Sequence, residues 1–296
     1  MRLRGKNILV TGSGRGFGQS LAVAYASEGA HVFSVARTVS ELESTEKIIH
    51  DAGGEVTTFP CDLSCDDSLE DLVEFVSGFG GVDVLVNNAA TSPWVTIDDM
   101  TREVWDNTIA VNLRAPFLLS LYLYRQMADR GGGSIINISS GSAEKGFMAE
   151  VAYCSGKFGL EGLTQCLALE LKNYNIAVNS LNVGAPRGYG LKPTELTDLE
   201  AENMPVEVKS RYAPVDLMVK CFRDAWVFLA LQKGDEVTGQ RFSTLDLAKE
   251  LEEQGVEAVK ERYSGKLLKA VYKMIDFPER VRYQSPDGGW KVARFT

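Results

Sequence analysis

The chain has 296 residues, is 45% hydrophobic and carries a formal net charge of −9, with a pI near 5.0, enough to bury a large core in one α/β domain or two smaller ones. The acidic balance argues against a nucleic-acid partner, which needs a clustered basic face. The most apolar run, Ala115 to Tyr124, is broken by Ser120 and falls short of the ~20 residues of a membrane helix, so no membrane association is expected.

Five cysteines, at 61, 65, 154, 166 and 221, are an odd, scattered set that fits reduced thiols in the cytoplasm better than a disulfide framework. Cys61 and Cys65 have no second pair nearby, so no zinc site is expected, and Cys154 reads as a small buried filler. No basic-then-apolar leader precedes the first strand, so a signal peptide is not expected. The two histidines, His31 in a strand-like run and His50 near a helix end, offer no base for a hydrolase triad.

Strand-like and helix-like runs alternate along the chain. Lys6–Thr11 is β-rich, Phe17–Glu28 is helical and Gly29 ends it; His31–Ala36 is a second strand and Ser40–Ala52 a charged amphipathic helix. After Gly53-Gly54 come strand Val56–Phe59, helix Asp67–Phe79 and strand Val82–Asn87. A long helical region spans Arg102 to Arg130, with a bend expected at Pro116. Strand Ser134–Ser139, helix Val151–Asn173 and strand Ile176–Leu181 follow, and a last unit pairs helix Val215–Leu231 with strand Val237–Ser243. Seven strands alternating with helices predict an α/β, Rossmann-type, doubly wound parallel sheet with helices on both faces. Thr11, Asn87 and Ser140 then fall at the carboxyl ends of strands, where such sheets bind ligands.

Residues 1–243 therefore form the expected dinucleotide-binding and catalytic domain, with 185–213 as a lid. Residues 244–296 form an expected appendage. In it, Leu245–Gln254 and Val256–Ile275 look like amphipathic helices broken at Gly255, and Arg280–Gln284 and Trp290–Phe295 look like a hairpin around a Pro-Asp-Gly turn.

Between the first strand and helix runs Thr11-Gly12-Ser13-Gly14-Arg15-Gly16-Phe17-Gly18. Gly12 permits a tight turn, Gly16 and Gly18 permit close approach to a pyrophosphate, and the helix N-terminus supplies amide donors. A plain strand-to-helix turn could show the same run. Asn87-Asn88-Ala89-Ala90 at a later strand end, and Ser140 upstream of Tyr153 and Lys157, favour the phosphate cradle. An NAD site usually places a carboxylate at the end of the second strand. Here Ala36 stands there with Arg37 after it and Arg15 in the glycine run, which favours the 2′-phosphate of NADP(H). Asp62, followed by Leu63 at the third strand end, suits either an adenine hydrogen bond or a helix cap.

A tyrosine hydroxyl, with a pKa of about 10, is a poor base at neutral pH. Lys157, one helical turn from Tyr153, would stabilise its phenolate, and Ser140 would donate a hydrogen bond to a substrate oxygen. On these residues the chain resembles the short-chain dehydrogenase/reductase family over about residues 5–243. Thr11-Gly12-x-x-x-Gly16-x-Gly18 matches its cofactor motif, Asn87-Asn88-Ala89 its sheet-stabilising motif and Tyr153-x-x-x-Lys157 its active site, while Asn112 in Val111-Asn112-Leu113 matches the family asparagine. The resemblance implies Tyr153 as acid/base, Lys157 as its activator and ribose anchor, Ser140 as oxygen donor and Asn112 as a relay through a water chain. Taken together, these readings make Thr11, Gly12, Ser13, Arg15, Gly16, Phe17, Gly18, Arg37, Asp62, Leu63, Asn88, Ala89, Tyr153, Lys157, Val183 and Gly184 the expected cofactor contacts, with no metal expected. Three departures stand out. Ala90 replaces the family's glycine, Val183-Gly184 stands where the family has Pro-Gly with no threonine close behind, and the glycine-rich ending gives way to residues 244–296. How the nicotinamide carboxamide is held does not carry over.

The expected function is NADP(H)-dependent interconversion of a ketone or aldehyde with its alcohol. A sugar epimerase or dehydratase of the same fold would show Gly-x-x-Gly-x-x-Gly, which is missing here; a non-catalytic NADP sensor or scaffold would not need Ser140, Tyr153 and Lys157 together. In the lid, Arg187, Tyr189, Lys192, Arg211 and Tyr212 would either meet an anionic substrate or simply be solvated, with Trp94, Phe147 and Met148 on the apolar side of the pocket. Surplus leucines on the two long helices (118, 119, 121, 123, 163, 167 and 171) predict a homo-oligomer, unless the appendage covers them.

Overall fold

Alternate residues of a strand point to opposite faces of a sheet, and in β1 (Asn7–Thr11) both faces are apolar. In a computed structural model, which describes residues 1–191, 210–268, 280–284 and 289–294, Ile8 and Val10 pack on one side and Leu9 on the other. β1 is the third strand from the β3 edge of a parallel sheet of order β3-β2-β1-β4-β5-β6-β7, which contains β2 (His31–Ala36), β3 (Glu55–Pro60), β4 (Val84–Asn87), β5 (Gly133–Ser139), β6 (Ile176–Asn182) and β7 (Arg241–Ser243). Registers such as Leu9↔Phe33 and Leu9↔Leu85 fix β1 between β2 and β4.

Helices α1 (Gly16–Ser27), α2 (Val39–Asp51) and α7 (Val215–Ala230) supply one core, with Leu21, Tyr25, Ile49, Phe222 and Trp226 buried against the sheet. Helices α3 (Asp66–Gly78), α5 (Ala115–Asp129) and α6 (Val151–Leu171) supply the other, through Leu69, Leu72, Leu119, Leu123, Met127 and Leu171. The doubly wound architecture is as the sequence predicts. Winding reverses between β1 and β4, which opens a crevice at their carboxyl ends.

Three boundaries move. The break expected at Pro116 comes earlier: α4 (Arg102–Ile109) runs through a π turn at Ala110–Arg114 into α5, where Pro116 occupies the first turn. Pro116 has no N–H for the carbonyl four residues back, and the ladder slips to a wider bond from Ala115 N–H to the Ala110 carbonyl. Strand β7 is shorter than Val237–Ser243, because Gly239 takes φ +71 and the Asn179 side chain, bonded to the Val237 carbonyl (2.8 Å) and the Gln240 N–H (3.0 Å), replaces ladder bonds. Helix α9 (Val256–Tyr263) ends well before Ile275, and residues 269–279 lie outside the described set.

Helix α8 (Thr244–Gln254) follows β7 directly, and Gly255 at φ +80 turns the chain into α9. Leu247 of α8 and Val259 of α9 are buried with the α1/α7 core, so this part of the expected appendage packs as a continuation of the domain. The tail forms the expected hairpin, β8 (Arg280–Gln284) pairing antiparallel with β9 (Trp290–Arg294). No described helix is long and apolar enough to cross a membrane.

Candidate active site

The glycine run forms a cradle in which each small residue has a steric reason. Gly12 and Gly16 take φ +65 and +59, conformations costly for any residue with a Cβ. A Cβ on Gly18 would lie 2.2 Å from the Gly12 carbonyl oxygen and 2.3 Å from Asn88 Nδ2. Helix α1 therefore starts hard against the end of β1, with its N-terminal amides facing a cleft lined by Gly12, Gly14, Arg15, Gly16, Phe17 and Gly18. No acidic residue occupies its first turn. This suits an anionic group such as a pyrophosphate, which is a fit to a dinucleotide.

Asn88 stitches two strand ends together, its Nδ2 donating to the Thr11 (2.9 Å) and Gly12 (3.1 Å) carbonyls. Thr11 Oγ1 accepts from the Asn88 and Ala89 amides, and the buried Ser13 hydroxyl donates to the Val10 carbonyl (2.9 Å) and accepts from the Val35 amide (2.8 Å). Thr11 and Ser13 are thus turned into the sheet and shape the cradle from behind. Asn87 Nδ2 donates to Asn137 Oδ1 and Asn137 Nδ2 to Thr164 Oγ1, a buried chain across β4, β5 and α6.

Farther along the cleft lie Ala36, Arg37, Glu41, Asp62, Leu63, Asn88 and Ala89. Arg15 and Arg37 both line it, yet Arg15 Nη1 is 2.5 Å from Glu41 Oε1, a carboxylate the sequence reading passed over. Asp62 does not cap α3, whose N-cap is Cys65. It accepts from the Ser64 amide (2.9 Å) and hydroxyl (2.8 Å) in a local turn. Burial alone would raise the Asp62 carboxyl, but the Ser64 donors and the charge of Arg37 outweigh it and hold it below the usual range.

Ser140, Tyr153 and Lys157 line the inner end of the same cleft. Ser140 caps a short turn, accepting from the Ser142 amide (3.1 Å). Lys157 Nζ sits 5.6 Å from the Tyr153 ring centroid and donates to the Ile138 carbonyl (2.7 Å). Asn112, buried in the π turn, accepts from the Thr91 amide (2.9 Å) and donates to the Thr91 carbonyl (2.8 Å). The Asn112 side chain is thus tied to the Thr91 backbone, and Pro116, lacking an N–H, cannot donate to the Asn112 carbonyl.

Burial pushes Lys157 down to about 8, against the opposing charge of Glu161. A folded value below the unfolded one means that this ammonium opposes folding throughout the range below about pH 8, and that the burden lifts as pH rises toward 10.5. Its size is on the order of 3 kcal/mol. Lys157→Met removes it and leaves the Ile138 carbonyl without its donor, a loss of about 1–3 kcal/mol. The expected result is a Tm at pH 7 no lower than wild type together with lost turnover. Scanning calorimetry checks this, and a Tm well below wild type would count against it.

On the substrate side, Trp94, Val183 and Leu191 line the cleft, whereas Phe147 and Met148 do not; Phe147 is exposed beneath the Lys145 ammonium. Gly184 sits just behind, where a Cβ would approach Leu245 of α8 at 3.2 Å. Arg187, Tyr189, Arg211 and Tyr212 lie off the lining, and Lys192 and most of the expected lid lie outside the described residues. Glu150 is on the wall, accepting from the Ser142 hydroxyl (2.7 Å). Ala149 before it takes φ +64, rare for a non-glycine residue, and its carbonyl accepts from the Val95 amide (2.9 Å).

A family model described as short chain dehydrogenase matches residues 6–191. The chain is 33% identical over 244 residues to L-xylulose reductase of Bos taurus, covering 81% of this chain and 94% of that one. It is 35% identical over 212 residues to an uncharacterized oxidoreductase of Thermotoga maritima, covering 71% and 84%. Among solved structures, a metagenomic short-chain oxidoreductase in complex with NADP aligns with a TM-score of 0.60 at 36% identity over 64% of this chain and 86% of that one. The chain belongs to the short-chain dehydrogenase/reductase family of oxidoreductases.

Proposed function

We propose that the protein is an NADP(H)-dependent reductase of a ketone or aldehyde, able to run in reverse as an alcohol dehydrogenase. One observation carries the reading: Ser140, Tyr153 and Lys157 open onto the same cleft as the Gly12–Gly18 cradle. The cofactor, when bound, supplies the hydride. Tyr153 gives its proton to the carbonyl oxygen, Ser140 donates a hydrogen bond to that oxygen, and the Lys157 ammonium stabilises the negative charge left on Tyr153.

Glu150 bears on the substrate. A carboxylate on the wall repels anionic substrates and accepts from hydroxyl groups, as it does from Ser142, and Ser92 lines the same cleft. A neutral, hydroxylated carbonyl compound is therefore favoured over a keto acid, in line with the L-xylulose reductase of Bos taurus and the D-threitol dehydrogenase of Mycolicibacterium smegmatis among the relatives. The experiment is a panel of neutral, anionic and cationic carbonyls, L-xylulose included, followed by NADPH absorbance. Turnover of none of them would overturn the reading, and turnover of any would exclude a non-catalytic sensor.

The chain should also self-associate. Leu119, Leu123 and Leu171 are spent on the core, but Phe117, Leu121 and Leu169 stay 42%, 46% and 61% exposed. Among the described residues, helix α8 packs on α7 and β7. A dimer or larger mass is expected by light scattering at micromolar concentration, with Leu121→Glu shifting it toward monomer. A monomeric wild type would show that the apolar surplus has another use.

A further inference from the structure

The end of β5 delivers Ser140 to the cleft, and three consecutive residues there are each held by a different ionised side chain. Lys157 Nζ donates to the Ile138 carbonyl (2.7 Å), the Ser139 hydroxyl donates to Glu161, and Arg241 Nη2 donates to the Ser140 carbonyl (3.0 Å). Glu161 lies one helical turn beyond Lys157 on α6, and Arg241 opens β7. The two join each other, Arg241 Nε lying 3.0 Å from Glu161 Oε1, while Glu161 Oε2 accepts from Ser180 of β6 (2.8 Å) and Arg241 Nη1 reaches Glu144 (2.7 Å). Their side chains are only 14% and 20% exposed. Neither residue is part of the cleft lining.

A largely buried carboxylate is tolerable only where donors satisfy it, and here the donors come from three adjacent strands, β5, β6 and β7. A staple for β7 alone would need only the Glu161–Arg241 pair. The further bond to the Ser140 carbonyl ties that pair to the residue that must meet the substrate oxygen. We propose that Glu161 and Arg241 are positioning residues for the reaction, holding Ser140 by its backbone and setting the charge balance around Lys157. The proposal rests on Ser140, Tyr153 and Lys157 being the reaction site.

The groups facing Lys157 fix the signs. Tyr153 and Glu161 lie on its own helix and Glu161 is the charge that acts on it, while Arg241 of β7 acts through Glu161, which it pairs, and Glu144 pairs Arg241 in turn. Removing the negative charge of Glu161 lowers the pH at which Lys157 loses its proton, whereas removing Arg241 leaves Glu161 uncompensated and raises it. A purely structural staple has no reason to move the two in opposite directions.

The test compares wild type, E161Q, R241M and R241K with L-xylulose, or whichever carbonyl of the panel turns over fastest. It reads kcat against pH, NADPH Kd by fluorescence, and Tm. In R241M, kcat should fall at least about tenfold, the scale of a small misplacement of a reacting group, with NADPH Kd within about threefold of wild type. The alkaline fall of kcat should move to lower pH in E161Q and to higher pH in R241M. R241K should keep the wild-type pH position while losing kcat, since one ammonium cannot reach Glu161, Glu144 and the Ser140 carbonyl together. Normal kcat in folded R241M, or shifts of E161Q and R241M in the same direction, overturns the proposal. If R241M does not fold, E161Q and R241K carry the decision: an unmoved profile in E161Q or full kcat in R241K overturns it. A wild type that reduces nothing overturns the reductase reading as well, whereas an active wild type with unaffected variants overturns only the positioning roles.

Discussion

Tyr153→Phe should lower turnover by at least about 10²-fold, the scale of a lost general acid, while NADPH binding stays near wild type. The substitution removes one oxygen and keeps the ring that lies 5.6 Å beneath the Lys157 ammonium, so local packing is preserved. Its effect should fall on kcat and kcat/KM equally, because the proton moves only as the transition state forms. Ser140→Ala should follow the same pattern more weakly, since a hydrogen bond to the substrate oxygen is lost and the proton source remains. Stopped-flow measurement of single turnovers, with NADPH Kd taken separately, distinguishes lost chemistry from lost binding. A near-normal single-turnover rate in Tyr153→Phe would remove Tyr153 from the chemistry.

What the sequence made legible was whatever depends on short spacing. Tyr153 and Lys157 share a face because they are one helical turn apart, and Gly12, Gly16 and Gly18 fall at a strand-to-helix turn where each absent Cβ has a steric cause. That seven strands make one parallel sheet also followed from their alternation with helices, although their order in it did not. What stayed hidden depends on side chains meeting across the fold. Glu41 reaches Arg15 from another helix, and Glu161 meets Arg241 eighty positions away, so no local pattern announces either pair. Asp62 looked as much like a helix cap as a ligand because acidic residues favour both, and the local bond to Ser64 settles only that it is no cap. The π turn at Ala110–Arg114 was read as a bend at Pro116 because a missing N–H acts on the carbonyl upstream of the proline.

Cofactor choice should turn on one exposed charge and one that is already paired. Arg37 is exposed on the rim just past the end of β2, where Ala36 presents no carboxylate to repel a 2′-phosphate. Arg15 reaches the same end of the cleft, but its guanidinium is held by Glu41, with side chains 23% and 13% exposed. A charge-assisted hydrogen bond contributes about 1.5–3 kcal/mol, roughly ten- to a hundredfold in affinity. Solvent at the exposed Arg37, and a carboxylate at Glu41, both push the preference toward the lower end. Wild type should therefore bind NADPH about tenfold more tightly than NADH. Arg37→Ala should cancel most of that difference by weakening NADPH and leave NADH nearly unchanged. Ala36→Asp should move the preference toward NADH, because its carboxylate would stand beside the glycine loop, where the Ala36 Cβ is 3.2 Å from the place of a Cβ on Gly14. Glu41→Gln should do the opposite, releasing Arg15 and removing a repelling charge, so NADPH tightens several-fold. Fluorescence titration of both cofactors against the four proteins measures all of this without any substrate. NADH bound as tightly as NADPH by the wild type would show that the end of β2 does not read the 2′-phosphate, and NADPH weakened by Glu41→Gln would show that Arg15 needs its partner to be held in place.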